Sequence, residues 1–312
     1  MTEIELHAIE VCVCTYRRAS LLDTLQSLTA LNVPKSCTIS ILVIDNDDTP
    51  SAETTVDAFA KCSPFAVTYR HCPKGNISIA RNGGLQHASG RYLAFIDDDE
   101  VASPDWLVEL FGQITQTKAD VVLGPVEAVY DDASPNWMRE TSMHSTHPVW
   151  VNGVIETGYT CNVLIDRHSP AVQSLTFDLD LGQSGGEDTK FFAQVFKNGG
   201  QITYADAATV FEDVPDNRLA LNWLIKRRFR MGQTHGRLLG RDIGLVRRLR
   251  HIAIVSAKIM YCAANMAIRV FDTAKRNQSM LRGMLHLGAL TGLVGVKEMR
   301  QYGAGFSQAP KR

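Results

Sequence analysis

The chain has no cysteine pair at CxxC spacing, no G-x-G-x-x-G behind its first apolar run, and no positively charged, apolar leader at its start. It also has no uninterrupted stretch of about 20 apolar residues, the length that spans a bilayer. Each absence removes a class. Cys12, Cys14, Cys37, Cys62, Cys72, Cys161 and Cys262 are odd in number and lack ligand spacing. They read as small buried hydrophobes in a reducing compartment. Without the glycine triplet, a nicotinamide-binding Rossmann domain is a poor fit. Residues 1–10 hold three glutamates and no apolar core, the reverse of a secretory signal. Acids, finally, are nearly missing from one end. Residues 218–312 contain 19 Lys and Arg against three Asp and Glu, whereas residues 1–217 contain 13 against 30. The net charge of −1 thus conceals an acidic body and a basic tail with different partners.

What is present is an ordinary globular composition, 45% apolar and 21% charged over 312 residues. That length suffices for one large α/β domain with an appended segment, or for two smaller domains. Short apolar runs at 11–14, 40–44, 66–70, 92–96 and 121–123 read as strands, and the second is apolar throughout, as a buried parallel strand should be. Helical spacing follows Ser20, a candidate N-cap, and recurs near 51–60, near 79–88 and from Pro104. Strands alternating with helices predict an α/β fold with a mostly parallel, doubly wound sheet, whose ligands bind outside the carboxyl ends of its strands. Residues 125–158 are irregular and read as a cover over a site. A boundary is expected at 217, between a catalytic body, 1–217, and a helical segment, 218–312.

Three places carry chemistry. Asp97, Asp98, Asp99 and Glu100 follow the fourth strand directly, with no base beside them in the sequence. Such a run repels itself, and a divalent cation such as Mn²⁺ or Mg²⁺ resolves the repulsion through hard oxygen ligands. Alternation along an extended chain puts Asp97 and Asp99 on one side and Asp98 on the other. Asp45 to Asp48 end the second strand, where an acid can accept hydrogen bonds from a nucleoside. Arg81, on the helix after Gly75-Asn76-Ile77-Ser78, can grip a diphosphate bidentately or simply pair with the acidic loops. Gly185-Gly186-Glu187-Asp188 opens a helix. There the dipole lowers a carboxylate's pKa, so a base at Asp188 needs a second carboxylate or desolvation beside it.

The runs VCVCTYRR, ILVIDNDD, GNISIARNGGLQHASGRYLAFIDDDE and GGEDTKFFAQVFKNGG, in this order over about residues 8–215, resemble family 2 of the nucleotide-sugar glycosyltransferases, with the GT-A fold. Within it the chain is similar to bacterial exopolysaccharide glycosyltransferases of the succinoglycan glucosyltransferase kind. The resemblance implies that Thr15, Arg17 and Asp45 hold the nucleoside of a UDP-sugar, that Arg81 lies near ribose and diphosphate, and that Asp97 and Asp98 belong to the nucleotide-sugar site. It implies Asp99, with Asp97, as metal ligands and Asp188 as general base, with Glu187 beside it. The reaction implied is a single inverting displacement that gives a β-linked product, with glucose from UDP-glucose as the family-weighted donor.

Asn162, Arg227, Arg228 and His235 are candidates for the acceptor side. The chain lacks the Gln-x-x-Arg-Trp motif of processive members, having Arg227-Arg228-Phe229-Arg230-Met231 instead, which favours addition of one sugar. Apolar stretches at 252–268 and 284–296, flanked by arginines, suit helices lying on an anionic membrane surface, peripheral to the cytoplasmic face of a bacterial inner membrane. The acceptor expected there is a polyprenyl-diphosphate-linked oligosaccharide. Two other readings stay open: a non-catalytic scaffold of a membrane assembly, opposed by the intact acids, and a nucleic-acid-binding tail. The few aromatics among the tail's arginines point away from nucleic acid.

Overall fold

The computed structural model describes residues 6–241 and 243–296. Residues 1–5, Asp242 and 297–312, which entered the charge count, the leader reading and the 218–312 segment, lie outside the described residues. The chain runs through β1 (His7–Thr15), α1 (Leu21–Leu28), β2 (Cys37–Asp45), α2 (Glu53–Ala60), β3 (Ala66–His71), α3 (Ile77–His87), β4 (Tyr92–Asp97), β5 (Glu100–Ala102), α4 (Trp106–Thr117), β6 (Val121–Leu123) and β7 (Val126–Val129). It continues through α5 (Asn136–Thr141), β8 (Trp150–Val151), β9 (Val154–Ile155), β10 (Asn162–Asp166), α6 (Glu187–Lys197), β11 (Ile202–Tyr204), β12 (Val210–Asp213), α7 (Leu221–Gly240), α8 (Leu245–Ile268) and α9 (Thr273–Leu293).

The backbone divides into two units. The first, up to Glu127 and from Ser145 to Asp213, holds a seven-stranded sheet of order β11-β6-β10-β4-β1-β2-β3. The expected α/β fold with a mostly parallel sheet is present: β1 runs parallel to β2 and β4, β2 to β3, and β11 to β6. The exception is β10, antiparallel to both β4 and β6, which the sequence reading did not distinguish as a strand. Strand β1, interior to the sheet, is covered on both faces. Val11 and Val13 pack with Leu21, Leu25 and Leu28 of α1 and with Trp106 and Leu110 of α4. Cys12 and Cys14 point together to the other face, among Phe95, Phe191 and Phe192. Each such side chain, fully withdrawn from water, contributes roughly 1.5–3 kcal/mol. Ser20 does not cap α1 through its side chain; its hydroxyl donates to the Asp98 carbonyl at 2.9 Å and ties two loops together.

The second unit is Ala128–His144 and the chain from Val214 onward, so the segment 128–144 goes with the C-terminal helices although it precedes residue 217. Its centre is α7 packed on α9 through glycine. A Cβ added at Gly232 would run into the Leu285 carbonyl oxygen, at Gly236 into that of Ala289, at Gly288 into that of Phe229 and at Gly292 into that of Gln233. Four-residue spacing puts each pair of glycines on one helix face, so the two backbones meet directly. Against α9 also lies α8, through Ile252, Val255 and Ile259 on Ala289, Leu290 and Leu293. The apolar stretch of 17 residues seen in the sequence understates this helix, which runs unbroken for 24 residues and is long and apolar enough to cross a membrane by length and composition alone.

Within this unit His144 is 3% exposed and its ring is stacked on Trp223. Its Nε2 lies 3.1 Å from the Arg218 carbonyl, which can only accept, so Nδ1 is left to accept from the Tyr130 hydroxyl at 2.9 Å. Burial, reinforced by the charges of Arg227, Arg218 and Arg228, pushes the imidazole down to about 4. The unfolded chain binds the proton at higher pH than the fold does, so His144 stabilises fully above about pH 6.5 and the effect is lost as pH falls towards about 4. Melts at neutral pH and at about pH 4.5 should differ by on the order of 3 kcal/mol from this group, and His144→Gln should flatten that difference.

Candidate active site

The carboxyl ends of β1, β2 and β4 and the head of α6 meet in the first unit. After β4 the chain turns at Asp98 and Asp99 before entering β5, and that turn breaks the alternation expected of an extended run. Asp98 accepts from the Thr15 hydroxyl at 2.7 Å and from Arg18 Nε at 3.1 Å, while Asp99 lies 3.3 Å from Arg18. Asp97 faces elsewhere: its backbone N–H donates to Glu100 at 2.8 Å and its carboxylate lies 3.9 Å from Arg81. The acidic run therefore has bases after all. Arg18 and Arg81 reach it from 80 and 16 residues away, which no inspection of its immediate neighbours reveals.

Arg81 joins this cluster to the second acidic pair. Its side chain is 9% exposed, pairs with Glu187, the first residue of α6, and lies over the Phe177 ring. Burial opposes its charge, and Glu187, Asp97 and Asp188 outweigh burial, so the guanidinium stays firmly protonated. Asp188 follows in the first turn, where its Oδ1 accepts from the Thr189 backbone N–H at 2.6 Å and hydroxyl at 3.2 Å. Gly185 and Gly186 lead in with φ of 85° and 92°, left-handed values that a side chain strongly disfavours. They allow the chain to turn sharply into α6 and bring Glu187 under Arg81.

Burial and mutual repulsion push the acids up: Asp97 to about 7, Asp98 to about 6 and Glu100 well above the carboxylate range, with Glu212 of β12, opposite Glu100 in register, adding to the effect on Asp97 and Glu100. Among the described residues, the ligand atoms of Asp97, Glu100 and Cys161 lie within 4.8 Å of one another. Sequence reasoning missed Arg18, counted Glu100 only as part of the acidic run and gave Cys161 no place beside it. The double arginine of TYRR was the available signal for the first of them. The donor set suits a hard divalent cation. The hard oxygens in this cluster are the carboxylates of Asp97 and Glu100, while Asp99, the other expected ligand, lies outside it against Arg18, and the Cys161 thiol, pushed up by burial and by Glu100 and Asp97, stays neutral.

The other candidates are placed as follows. Asp45 is fully buried and its oxygens accept from the Asp47 and Ala52 N–H groups and the Tyr69 hydroxyl at 2.8–3.0 Å, so it shapes the loop after β2. Arg17 reaches across to Asp47 at 2.7 Å with its side chain 58% exposed. Asn162, expected on the acceptor side, is fully buried in β10. Its Oδ1 accepts from Trp106 Nε1 and its Nδ2 donates to the Pro125 and Ala208 carbonyls, so its amide braces the fold and none of it faces a ligand. Arg227, Arg228 and His235 belong to the second unit. Arg227 lies over Trp223, Arg228 donates to the Met143 carbonyl at 3.2 Å, and His235 is exposed on α7.

Comparison with known proteins adds to this geometry. A model of glycosyl transferase family 2 matches residues 10–169. The succinoglycan biosynthesis protein ExoM of Rhizobium meliloti is 48% identical over 296 residues, 95% of this chain and 96% of that protein. A glucosyl-dolichyl phosphate glucuronosyltransferase of Haloferax volcanii is 23% identical, with 72% and 75% covered. The fold is shared with the mannosyltransferase PcManGT of Pyrobaculum calidifontis, solved with GDP-Man and Mn²⁺, at a TM-score of 0.61 and 17% identity over 92% of this chain and 87% of that one. It is shared also with S. aureus TarS in complex with UDP-GlcNAc, at a TM-score of 0.54 and 16% identity, covering 89% and 90%.

Proposed function

The chain belongs to glycosyl transferase family 2, and from that premise we propose that it transfers a hexose from a nucleoside-diphosphate donor to an oligosaccharide carried on a polyprenyl diphosphate. The donor we propose is UDP-glucose, the reaction a single addition with inversion, and the setting the assembly of a succinoglycan-type exopolysaccharide at the cytoplasmic face of the inner membrane. The likeness to ExoM over nearly the whole of both chains supports the pathway. What carries the chemistry is Arg81, which holds the β4 acids on one side and Glu187-Asp188 on the other.

In this reading the nucleoside lies at the ends of β1 and β2, against Arg17 and the loop that Thr15 and Asp45 shape. The diphosphate lies by Arg81 and the turn after β4, where Asp97 and Asp98 line the donor site. Asp97 and Asp99 would hold a divalent cation, Mn²⁺ or Mg²⁺, which when bound offsets the charge on the departing diphosphate. Asp188 takes the proton of the acceptor hydroxyl, whose oxygen attacks the anomeric carbon from the face opposite the leaving group. The bond from that carbon to the diphosphate oxygen breaks, UDP departs with the electron pair, and an α-linked donor gives a β-linked product. Two displacements would need a carboxylate nucleophile instead. Arg227, Arg228 and His235 remain proposals for contact with the acceptor.

The test is a screen of nucleotide-sugars for Mn²⁺-dependent thermal stabilisation and transfer. A donor at about one hundred times its Kd adds about 2.7 kcal/mol and should raise Tm by several degrees. Asp99→Ala should remove the part of that rise that needs Mn²⁺. If the variant keeps it, the metal assignment is wrong, and if no nucleotide-sugar stabilises the parent, so is the donor site.

A further inference from the structure

The second unit carries a surface that the glycosyl-transfer reading leaves unused. One face of α8 packs on α9 through Ile252, Val255, Ile259 and, against Gly283, Cys262. The opposite face is open. Ile254, Ala257, Tyr261, Ala264 and Ile268 recur there at three- and four-residue spacing with Met260 beside them, and Ile254, Met260, Tyr261 and Ile268 are 41%, 71%, 65% and 80% exposed. From Ile254 to Ile268 this strip is about 21 Å long and holds no charge, since Lys258 falls on the flank of the helix. Phe271, 99% exposed, stands in the turn that follows.

The strip is bracketed by cations. Arg247, Arg248 and Arg250 precede it and Arg269 ends it, with Lys275 and Arg276 on the next helix, where Asp272 is the one acid among the described residues from 243 to 296. An apolar face ringed by arginines repels a basic partner and suits a surface that is negative outside and apolar just beneath. An anionic bilayer has both properties. Length alone would let α8 cross that bilayer, but its packing argues otherwise. A crossing α8 would carry α9 with it, and α9 brings Lys275, Arg276, Arg282 and His286 into hydrocarbon, where charge is costly.

We propose that α8 lies in the plane of an anionic phospholipid membrane with the Ile254–Ile268 strip against the acyl chains and α9 on the watery side. The assignment stands on the second unit alone, and only its link to catalysis rests on the lipid-linked acceptor proposed above. An enzyme so placed meets a polyprenyl-anchored acceptor by diffusion in two dimensions.

The experiment uses the whole chain and vesicles of phosphatidylglycerol with phosphatidylcholine. The parent should pellet with them, should bind pure phosphatidylcholine at least about tenfold more weakly, and should release in high salt. The double variant Ile254→Glu with Tyr261→Glu changes exposed residues only, so circular dichroism should match the parent while vesicle affinity falls at least about tenfold. Ile254→Trp, Tyr261→Trp and Ile268→Trp, made singly, should all be quenched alike by lipid brominated near the headgroup. Greater depth at Tyr261 than at both ends would mean a crossing helix and overturn the proposal. So would unchanged binding by the glutamate variant, equal binding to neutral vesicles, or a dimer that the glutamates dissolve in a protein that ignores vesicles. Donor-dependent thermal stabilisation, measured on the same samples, should match the parent in every variant. Its absence with vesicle binding intact would count against the transferase site and leave the surface assignment standing.

Discussion

Asp188→Asn should lower sugar transfer by about 10²–10⁴-fold, the usual worth of a positioned general base, and leave donor binding nearly intact. Asparagine keeps an oxygen where Asp188 Oδ1 accepts from Thr189, so the first turn of α6 has no reason to fray. It cannot take a proton. Glu187 is beside Asp188 and Asp97 lies across Arg81, so three carboxylates share one guanidinium. Single-turnover transfer and donor-dependent thermal shift, measured on one preparation, separate the two roles. Loss of transfer with the thermal shift preserved is the expected result. Loss of both together would make Asp188 a structural residue and remove the base from the mechanism.

Arg81→Gln has the second large effect, and it acts on folding as well as on rate. Breaking a buried ion pair from one side typically costs about 3–5 kcal/mol, because the partner charge stays behind. Here the abandoned partner is Glu187, 4% exposed at the head of α6, with Asp97 nearby. Denaturant melts of variant and parent measure the loss directly. Glu187→Gln in the same background should recover much of the stability, since the unpaired charge is then gone, but not the transfer rate. Recovery of both would place Arg81 in the scaffold only. A melt unchanged by Arg81→Gln would show that the pair is not held as described.

The parts of this arrangement that were legible in the sequence are those that local spacing encodes. Short apolar runs marked the strands, and the acids that end two of them marked the edge at which a ligand is proposed to bind. The direction of β10 was not legible, because period and composition are the same for a strand running either way. Asn162 illustrates the cost: a polar residue lying between the two acidic motifs in the sequence looked available, and only its three hydrogen bonds show that it is consumed. Arg18 was hidden for the converse reason, since its partners Asp98 and Asp99 lie 80 residues on. The length of α8 was masked by Arg247, Arg248 and Arg250, which interrupt the apolar run without interrupting the helix.

Nothing wider than a hydrogen fits where α7 crosses α9 at Gly232, Gly236, Gly288 and Gly292. At those four positions little hydrocarbon is buried, and cohesion there comes from dispersion between backbones and from weak Cα–H···O contacts. Neither depends on expelling water. Detergent that swells a leucine-filled interface has no purchase on it, and acyl chains at its border do not compete for its contacts. The crossing is thus a backbone-to-backbone clasp, suited to a unit that keeps its shape whether water or lipid presses against it.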